Sequence, residues 1–182
     1  MPSESEPLHV FISHWSSRLN VQQFQPERHV LGVRLRDAVN AILEKESRAK
    51  IVLLGDYNDE PFDAPIAEHL MATRDRRLAT RRKHLLYNPF WRHMTSCDEG
   101  VEPTVSDRGS YFHKAGSVTQ WRTFDQMMFS SAFLGSSNWH LNEVNTRVLD
   151  VPSFADLVAS GDMRFDHLPI IGQIEKKGVL NG

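Results

Sequence analysis

Apolar positions along the chain fall into short runs divided by polar, turn-rich stretches, with one longer periodic segment near the beginning. Leu8 to Ser13 carries Val10, Phe11 and Ile12 in succession, long enough for a buried strand and too short for a helix. After Pro26, the segment from Glu27 to Glu46 places Leu31, Leu35, Ala38, Val39 and Ile42 at helical spacing, with Arg34, Arg36, Asp37 and Glu44 elsewhere on the wheel. Ile51, Val52, Leu53 and Leu54 then form an uninterrupted apolar strand ended by Gly55, the pattern of a strand covered on both faces. Strand, helix, strand in that order predicts a βαβ unit with a parallel pair, and so an α/β fold.

Further along, Asp63 and Pro65 predict the start of a short helix through Ile66, Leu70 and Met71. Strands are expected over Thr123 to Ser130, Leu141 to Leu149 and Leu168 to Ile174, with loop or helix from Asp150 to Met163. Pro89 to Arg122 is long, polar and turn-rich with Trp91, Tyr111 and Trp121 embedded in it, and such a segment in a compact domain is functional or mobile. The basic run Arg74, Arg76, Arg77, Arg81, Arg82 and Lys83 reads first as a solvated helical face and second as a phosphate-attracting rim.

Composition narrows this picture. At 182 residues, with no internal repeat and no linker, the chain is expected to form a single domain over 1–182. Twenty-one Lys and Arg against 23 Asp and Glu leave a net charge of -2, so no global field draws the protein to nucleic acid or to an anionic membrane; any polyanion must be met by a local patch. A single cysteine, Cys97, excludes an intrachain disulfide framework and fits a reducing, cytoplasmic setting. The first residues are acidic and polar, unlike a secretory signal, and no apolar run approaches the roughly 18 residues of a membrane span.

Candidate chemistry sits where strands hand over to loops. His14 follows the first apolar run; Asp56 and Asn58 follow the second in Gly-Asp-Tyr-Asn-Asp-Glu-Pro; Asp125 opens a later strand in Phe-Asp-Gln; Asp166 and His167 precede the last strand in Asp-His-Leu-Pro. Phosphoester cleavage asks for a hard cation held by carboxylates, donors for phosphoryl oxygens, and a group that orients or deprotonates water. All three types are present, whereas the Gly-x-Ser-x-Gly elbow of many acyl hydrolases is not. Asp59, Glu60 and Asp63 read as turn and cap residues, and the other histidines as surface or packing residues.

His-Trp-x-Ser-Arg, Gly-Asp-Tyr-Asn-Asp-Glu-Pro, Phe-Asp-Gln and Asp-His-Leu-Pro, in this order from His14 to Pro169, resemble the successive motifs of the endonuclease/exonuclease/phosphatase superfamily. The resemblance implies a metal-dependent phosphoester hydrolase on a DNase I-like four-layer sandwich, two sheets packed face to face between helices. By the same resemblance His14, Asp56, Asn58, Asp125 and His167 would be catalytic. Asp56 would orient or deprotonate water, Asn58 would hold that water or a phosphoryl oxygen, and His167 would contact the scissile phosphate with Asp125 behind it. His14, Arg18, Asn58 and His167 would bind the substrate phosphate, and Asp166 would bind Mg2+ or Mn2+.

Members of the superfamily begin with a strand bearing an Asn and another bearing a metal-binding Glu, and neither motif precedes His14. The resemblance therefore implies that the chain corresponds to the C-terminal half to two-thirds of that sandwich with an incomplete catalytic set, and weak metal binding with low or absent activity for this chain alone is expected. A lone half would leave an apolar sheet face open. A shortened sequence, a split domain completed by a second copy or a complementary chain, and helices closed over the sheet are the three accounts of this. The substrate class stays open among nucleic acid, phospholipid and inositol phosphate, and the alternative to an enzyme is a non-catalytic interaction module.

Overall fold

A computed structural model describes residues 7–18, 26–94, 108–149, 151–161 and 165–177. Cys97 and the middle of the Pro89 to Arg122 segment lie outside the described residues. The strands are β1 (Leu8–His14), β2 (Lys50–Asp56), β3 (Ala72–Thr73), β4 (Leu86–Tyr87), β5 (Tyr111–Phe112), β6 (Trp121–Arg122), β7 (Asp125–Phe129), β8 (Trp139–Val148) and β9 (Ile170–Lys176), and the α-helices are α1 (Pro26–Leu43), α2 (Arg76–Arg81) and α3 (Pro152–Ser160). The βαβ expectation is met: β1 and β2 pair in parallel across α1. They belong to a five-stranded sheet of order β1-β2-β7-β4-β3, in which β7 runs antiparallel to both neighbours.

Each face of this sheet has its own core, and alternation along β2 explains why. Ile51 and Leu53 point to one side with Met128 and pack under Val39 of α1, Ile66 and Leu70. Val52 and Leu54 point to the other side with Met127 and Phe129, and meet Leu141 and Val148 of β8, Ile170 and Ile174 of β9, and Ala155 and Val158 of α3. The β8–β9 hairpin thus forms a second sheet facing the first, and a residue one step out of phase on β2 would change cores.

The predicted face of α1 is corrected in one respect. The helix buries Arg28, Gly32, Arg36 and Val39, while Leu31, Leu35 and Ile42 pack at the margin and Ala38 is exposed. Arg36 is held by Asn40 and by the Leu70 carbonyl, which makes its burial tolerable. Gly32 lies where an added Cβ would sit 2.5 Å from the Pro65 carbonyl oxygen, so its lack of a side chain lets α1 approach a π-helical turn over Pro65–His69. His29 and His69 close that contact through a 2.7 Å hydrogen bond between ring nitrogens, two packing histidines as expected. The predicted second helix is this single π turn and stops before Met71, which has φ 58°.

The remaining expectations differ at their ends. β7 and the terminal strands shift by one to two residues, and the segment expected as loop or helix is α3, with Gly161 in the left-handed region at its C-terminus. Along α2 and the turn after it Arg77, Arg81, Arg82 and Lys83 are exposed, in keeping with a solvated face. On β1, Leu8, Val10 and Ile12 share the side that faces the hairpin, yet they lie beyond its reach, and Ile12 is 80% exposed. Part of the expected open apolar face is therefore present at this edge. No helix among the described residues is long and apolar enough to cross a membrane.

Candidate active site

The row of residues that faces the hairpin ends in charge. Val52, Leu54 and Asp56 follow one another on that face of β2, and Phe129, Met127 and Asp125 do so on β7, with Asp56 paired directly opposite Asp125. On the other flank His14 is the parallel partner of Asp56. Three elements thus set His14, Asp56 and Asp125 side by side at one end of the sheet, because side chains repeat every second residue and the register is fixed by the apolar positions before them. Gly55 makes the close approach possible: its φ of 146° suits glycine alone, and a Cβ there would meet the Ser13 carbonyl oxygen at 1.9 Å.

The fourth motif arrives by a separate tether. Leu168 N–H donates to the Ser110 carbonyl at 2.6 Å, the Ser110 hydroxyl accepts from the Asp125 N–H at 2.9 Å, and Tyr111 bridges His167. Ser110 therefore ties the Asp-His loop to the start of β7. The result is a 2.6 Å hydrogen bond between His167 Nδ1 and Asp125 Oδ2, with His167 Nε2 turned toward Asp56 Oδ2 at 4.0 Å and Asp166 Oδ1 at 3.9 Å.

Two directly opposed carboxylates repel, and the neighbours show how the repulsion is met. Asp56 accepts from the backbone and side-chain amides of Asn58, both at 2.9 Å, and His14 Nε2 lies 3.5 Å from Oδ2. The Asp56 carboxyl is nevertheless held above the usual carboxylate range, first by burial and then by the charge of Asp125. For His167, burial works to lower the pKa; the hydrogen bond and charge of Asp125, with Asp56 and Asp166 behind, outweigh it, and the imidazolium persists above its ordinary pH range. Its charge thus adds stability that is complete below the unfolded pKa and is lost as pH rises through the folded one. Asp125→Asn is expected to move the titrations of both His167 and Asp56 to lower pH, since it removes an attraction from one and a repulsion from the other. A histidine NMR titration in which the His167 midpoint does not fall would contradict this pairing.

All seven residues singled out from sequence line one cavity of about 620 Å³: His14, Arg18, Asp56, Asn58, Asp125, Asp166 and His167. They do not contribute equally. Asn58, with φ 49°, spends its side-chain amide on the Trp15 carbonyl and on Asp56. Arg18, expected at the phosphate, is engaged with Asp59, Asp63 and the Asn58 carbonyl. Asp166 projects from the rim with 71% of its side chain exposed. Among the described residues, Asp56, Asp125 and His167 form the cluster whose ligand atoms lie within 4.8 Å of one another, and its oxygen-rich character, with Asp166 nearby, suits a hard divalent cation.

Sequence reasoning passed over the groups that hold this rim in shape. Asp59 and Glu60 are buried members of a polar network, more than turn residues. Arg28, 1% exposed, pairs with Asp59 at 2.9 Å and donates to the carbonyls of Ser16, Tyr57 and Asn58. Glu60 accepts from the Thr123 N–H, and Gln126 donates to the Asp59 carbonyl at 2.6 Å while accepting from Asn88. Gln126 of the Phe-Asp-Gln motif is thus the clasp between β7 and the loop after β2. Asp63 is a turn residue as expected, accepting from the Glu60 N–H at 2.8 Å, but it does not cap the Pro65 turn, whose N-cap is Ala64 with no side-chain bond. The available signal was Gln126 itself, a polar residue inside an apolar strand that must find partners when buried. None of the residues lining the cavity comes from the Arg74 to Lys83 run.

A family model described as the Endonuclease/Exonuclease/phosphatase family matches residues 3–164. The chain belongs to the endonuclease/exonuclease/phosphatase family. Its mixed architecture, two facing sheets with α1 behind the larger, accords with the DNase I-like fold of that family. Among solved structures it is similar to a functionally unknown conserved protein from Enterococcus faecalis V583, at 12% identity and a TM-score of 0.48 over 97% of this chain and 53% of that one. It is also similar to an endonuclease/exonuclease/phosphatase family protein from Bacteroides thetaiotaomicron, at 14% identity and a TM-score of 0.39 over 80% of this chain and 45% of that one. The chain thus spans about half the length of each. No curated protein matches it.

Proposed function

We propose that this member of the endonuclease/exonuclease/phosphatase family is a metal-dependent phosphoester hydrolase whose working residues are His14, Asp56, Asp125 and His167. The observation that carries this reading is the junction of Asp56, Asp125 and His167 within one cluster, reached from three distant parts of the chain. Asp56, buried and of raised pKa, is suited to accept the proton of an attacking water as the ester P–O bond breaks. Asp125 holds His167 through Nδ1, which leaves Nε2 to donate to a phosphoryl oxygen. His14, with 79% of its side chain exposed, offers a second donor from the opposite flank of Asp56. Asn58 keeps Asp56 in place, and Arg18 shapes the loop from which Asn58 comes.

Asp166 at the rim would help to hold Mg2+ or Mn2+, which when bound polarises phosphoryl oxygens and offsets the charge that develops on them. One rim carboxylate is a modest ligand set, so binding should be weak, and tight Mg2+ binding in a calorimetric titration would contradict that expectation. The test of the hydrolase reading uses bis(p-nitrophenyl) phosphate with the full chain. Release of p-nitrophenolate is expected with millimolar Mg2+ or Mn2+, and chelation should lower it about 100-fold or more. Turnover that is the same with and without chelator, or no turnover with either ion, would overturn the reading and favour a non-catalytic interaction module.

A further inference from the structure

Beside the carboxylates the cavity wall is a succession of flat groups. The Arg18 guanidinium lies 5.0 Å from the centre of the Phe124 ring, Phe124 stacks on Tyr111 at 5.3 Å and 13°, and Tyr111 lies 6.3 Å from His113 at 21°. All four line the cavity. Arg18 closes one end and is fastened to Asp59 and Asp63, and Phe124 is buried; at the other end Tyr111 and His113 are half-exposed. Tyr111 also sits 4.8 Å from the His167 ring, so a group resting on this wall would be joined through only a few bonds to a phosphoryl group at His167.

The charges lining the cavity limit what else that group can carry. Among the described residues, Arg18 and Arg122 are the arginines of the lining, which includes no lysine, and each faces a carboxylate, Arg122 lying 3.7 Å from Glu60. Three imidazoles, His14, His113 and His167, remain against Asp56, Asp125 and Asp166. This set can meet one phosphate but not several, whereas aromatic faces beside a phosphate site are the usual means of holding a planar ring.

We infer that this site, given the hydrolase reading above, takes esters of a single phosphate that carry a planar aromatic group, and that Tyr111 with His113 selects them by stacking. The ring lies on the half-exposed end of the wall while its phosphate meets His167. Polyphosphorylated sugars are poor ligands for the same cavity, since its arginines are already neutralised.

The experiment compares two esters with the same leaving group, phenyl p-nitrophenyl phosphate and cyclohexyl p-nitrophenyl phosphate, whose retained groups are flat and puckered, and each kcat/KM is divided by that ester's uncatalysed rate to remove the electronic difference between aryl and alkyl oxygens. Wild type is expected to favour the phenyl ester at least about fivefold in kcat/KM, mainly through KM. The preference should fall to about one in Tyr111→Leu and survive in Tyr111→Phe, which keeps the ring; taking the ratio of two substrates removes any effect of the substitution on His167 itself. Equal use of the two esters by wild type, or a preference that persists in Tyr111→Leu, would overturn the inference. Displacement of the phenyl ester by inositol hexakisphosphate at lower concentration than unlabelled diphenyl phosphate would overturn it too. Should neither ester be cleaved with Mg2+ or Mn2+, the hydrolase reading fails separately. The same two esters are then compared by NMR-measured Kd, where a phenyl preference lost in Tyr111→Leu sustains the stacking site and equal affinities end it.

Discussion

Asp56→Ala should lower metal-supported phosphodiester hydrolysis by about 10²- to 10⁴-fold, the range associated with loss of a positioned general base. The loss should fall on kcat, because the role proposed for Asp56 is to act on water and not to grip the substrate. Asp56→Asn should lose nearly as much: it keeps the shape and can still meet Asn58, but cannot take up a proton. Both variants should fold, since the Asn58 contacts they disturb lie at the partly exposed end of β2. A circular-dichroism spectrum matching wild type would establish that point. Hydrolysis by Asp56→Ala within about tenfold of wild type would remove Asp56 from the site.

The second large effect concerns stability. Arg28→Ala is expected to destabilise the protein by about 3–5 kcal/mol, the usual consequence of removing one partner from a buried ion pair. Three features place it at this level. Asp59 is fully buried, its pKa already raised by desolvation and restrained by Arg28, so the substitution strands a carboxylate. The carbonyls of Ser16 and Tyr57 lose this donor at once, and that of Asn58 is left with Arg18. The cavity left by a large side chain adds to both. Arg18 still faces Asp59 but, being partly exposed and shared with Asp63, cannot supply the missing bonds. Urea denaturation is the measurement, and a change below about 1 kcal/mol would show that the network around Arg28 does not secure the loop after β2.

These two predictions draw on different kinds of information. Asp56 was identifiable before any coordinates, because a carboxylate directly after four apolar residues and a glycine marks the end of a buried strand, and three further motifs of matching chemistry accompany it. Arg28 was not. It lies on a helix whose apolar positions, Leu31, Leu35 and Ile42, suggest a different inward face, and nothing local says that an arginine will be covered by a loop about 30 residues away. Gln126 falls between the two: its presence in an apolar strand signals a polar partner, though not which one.

The aromatic wall shows the same division. Tyr111 and His113 belong to a segment with little periodicity, so no spacing argument assigns them a face, and they reach the cavity because Ser110 is bonded to both Asp125 and Leu168. Arg18 shows the converse. Its place next to His14 in the chain suggested a phosphate ligand, and its tertiary neighbours turned out to be carboxylates.

By itself, the sequence determined the βαβ opening, the strands that carry the motif residues and the four chain positions where charge emerges from the apolar pattern. Those properties are local, set by the two-residue repeat of a strand and by the order of motifs. Only the tertiary structure decided that Asp56 stands opposite Asp125, that His167 closes over both, and that Arg28 and Gln126 hold the rim beneath them. Register and buried polar partners depend on residues far apart in the chain, because a buried charge is satisfied by whatever lies nearest in space.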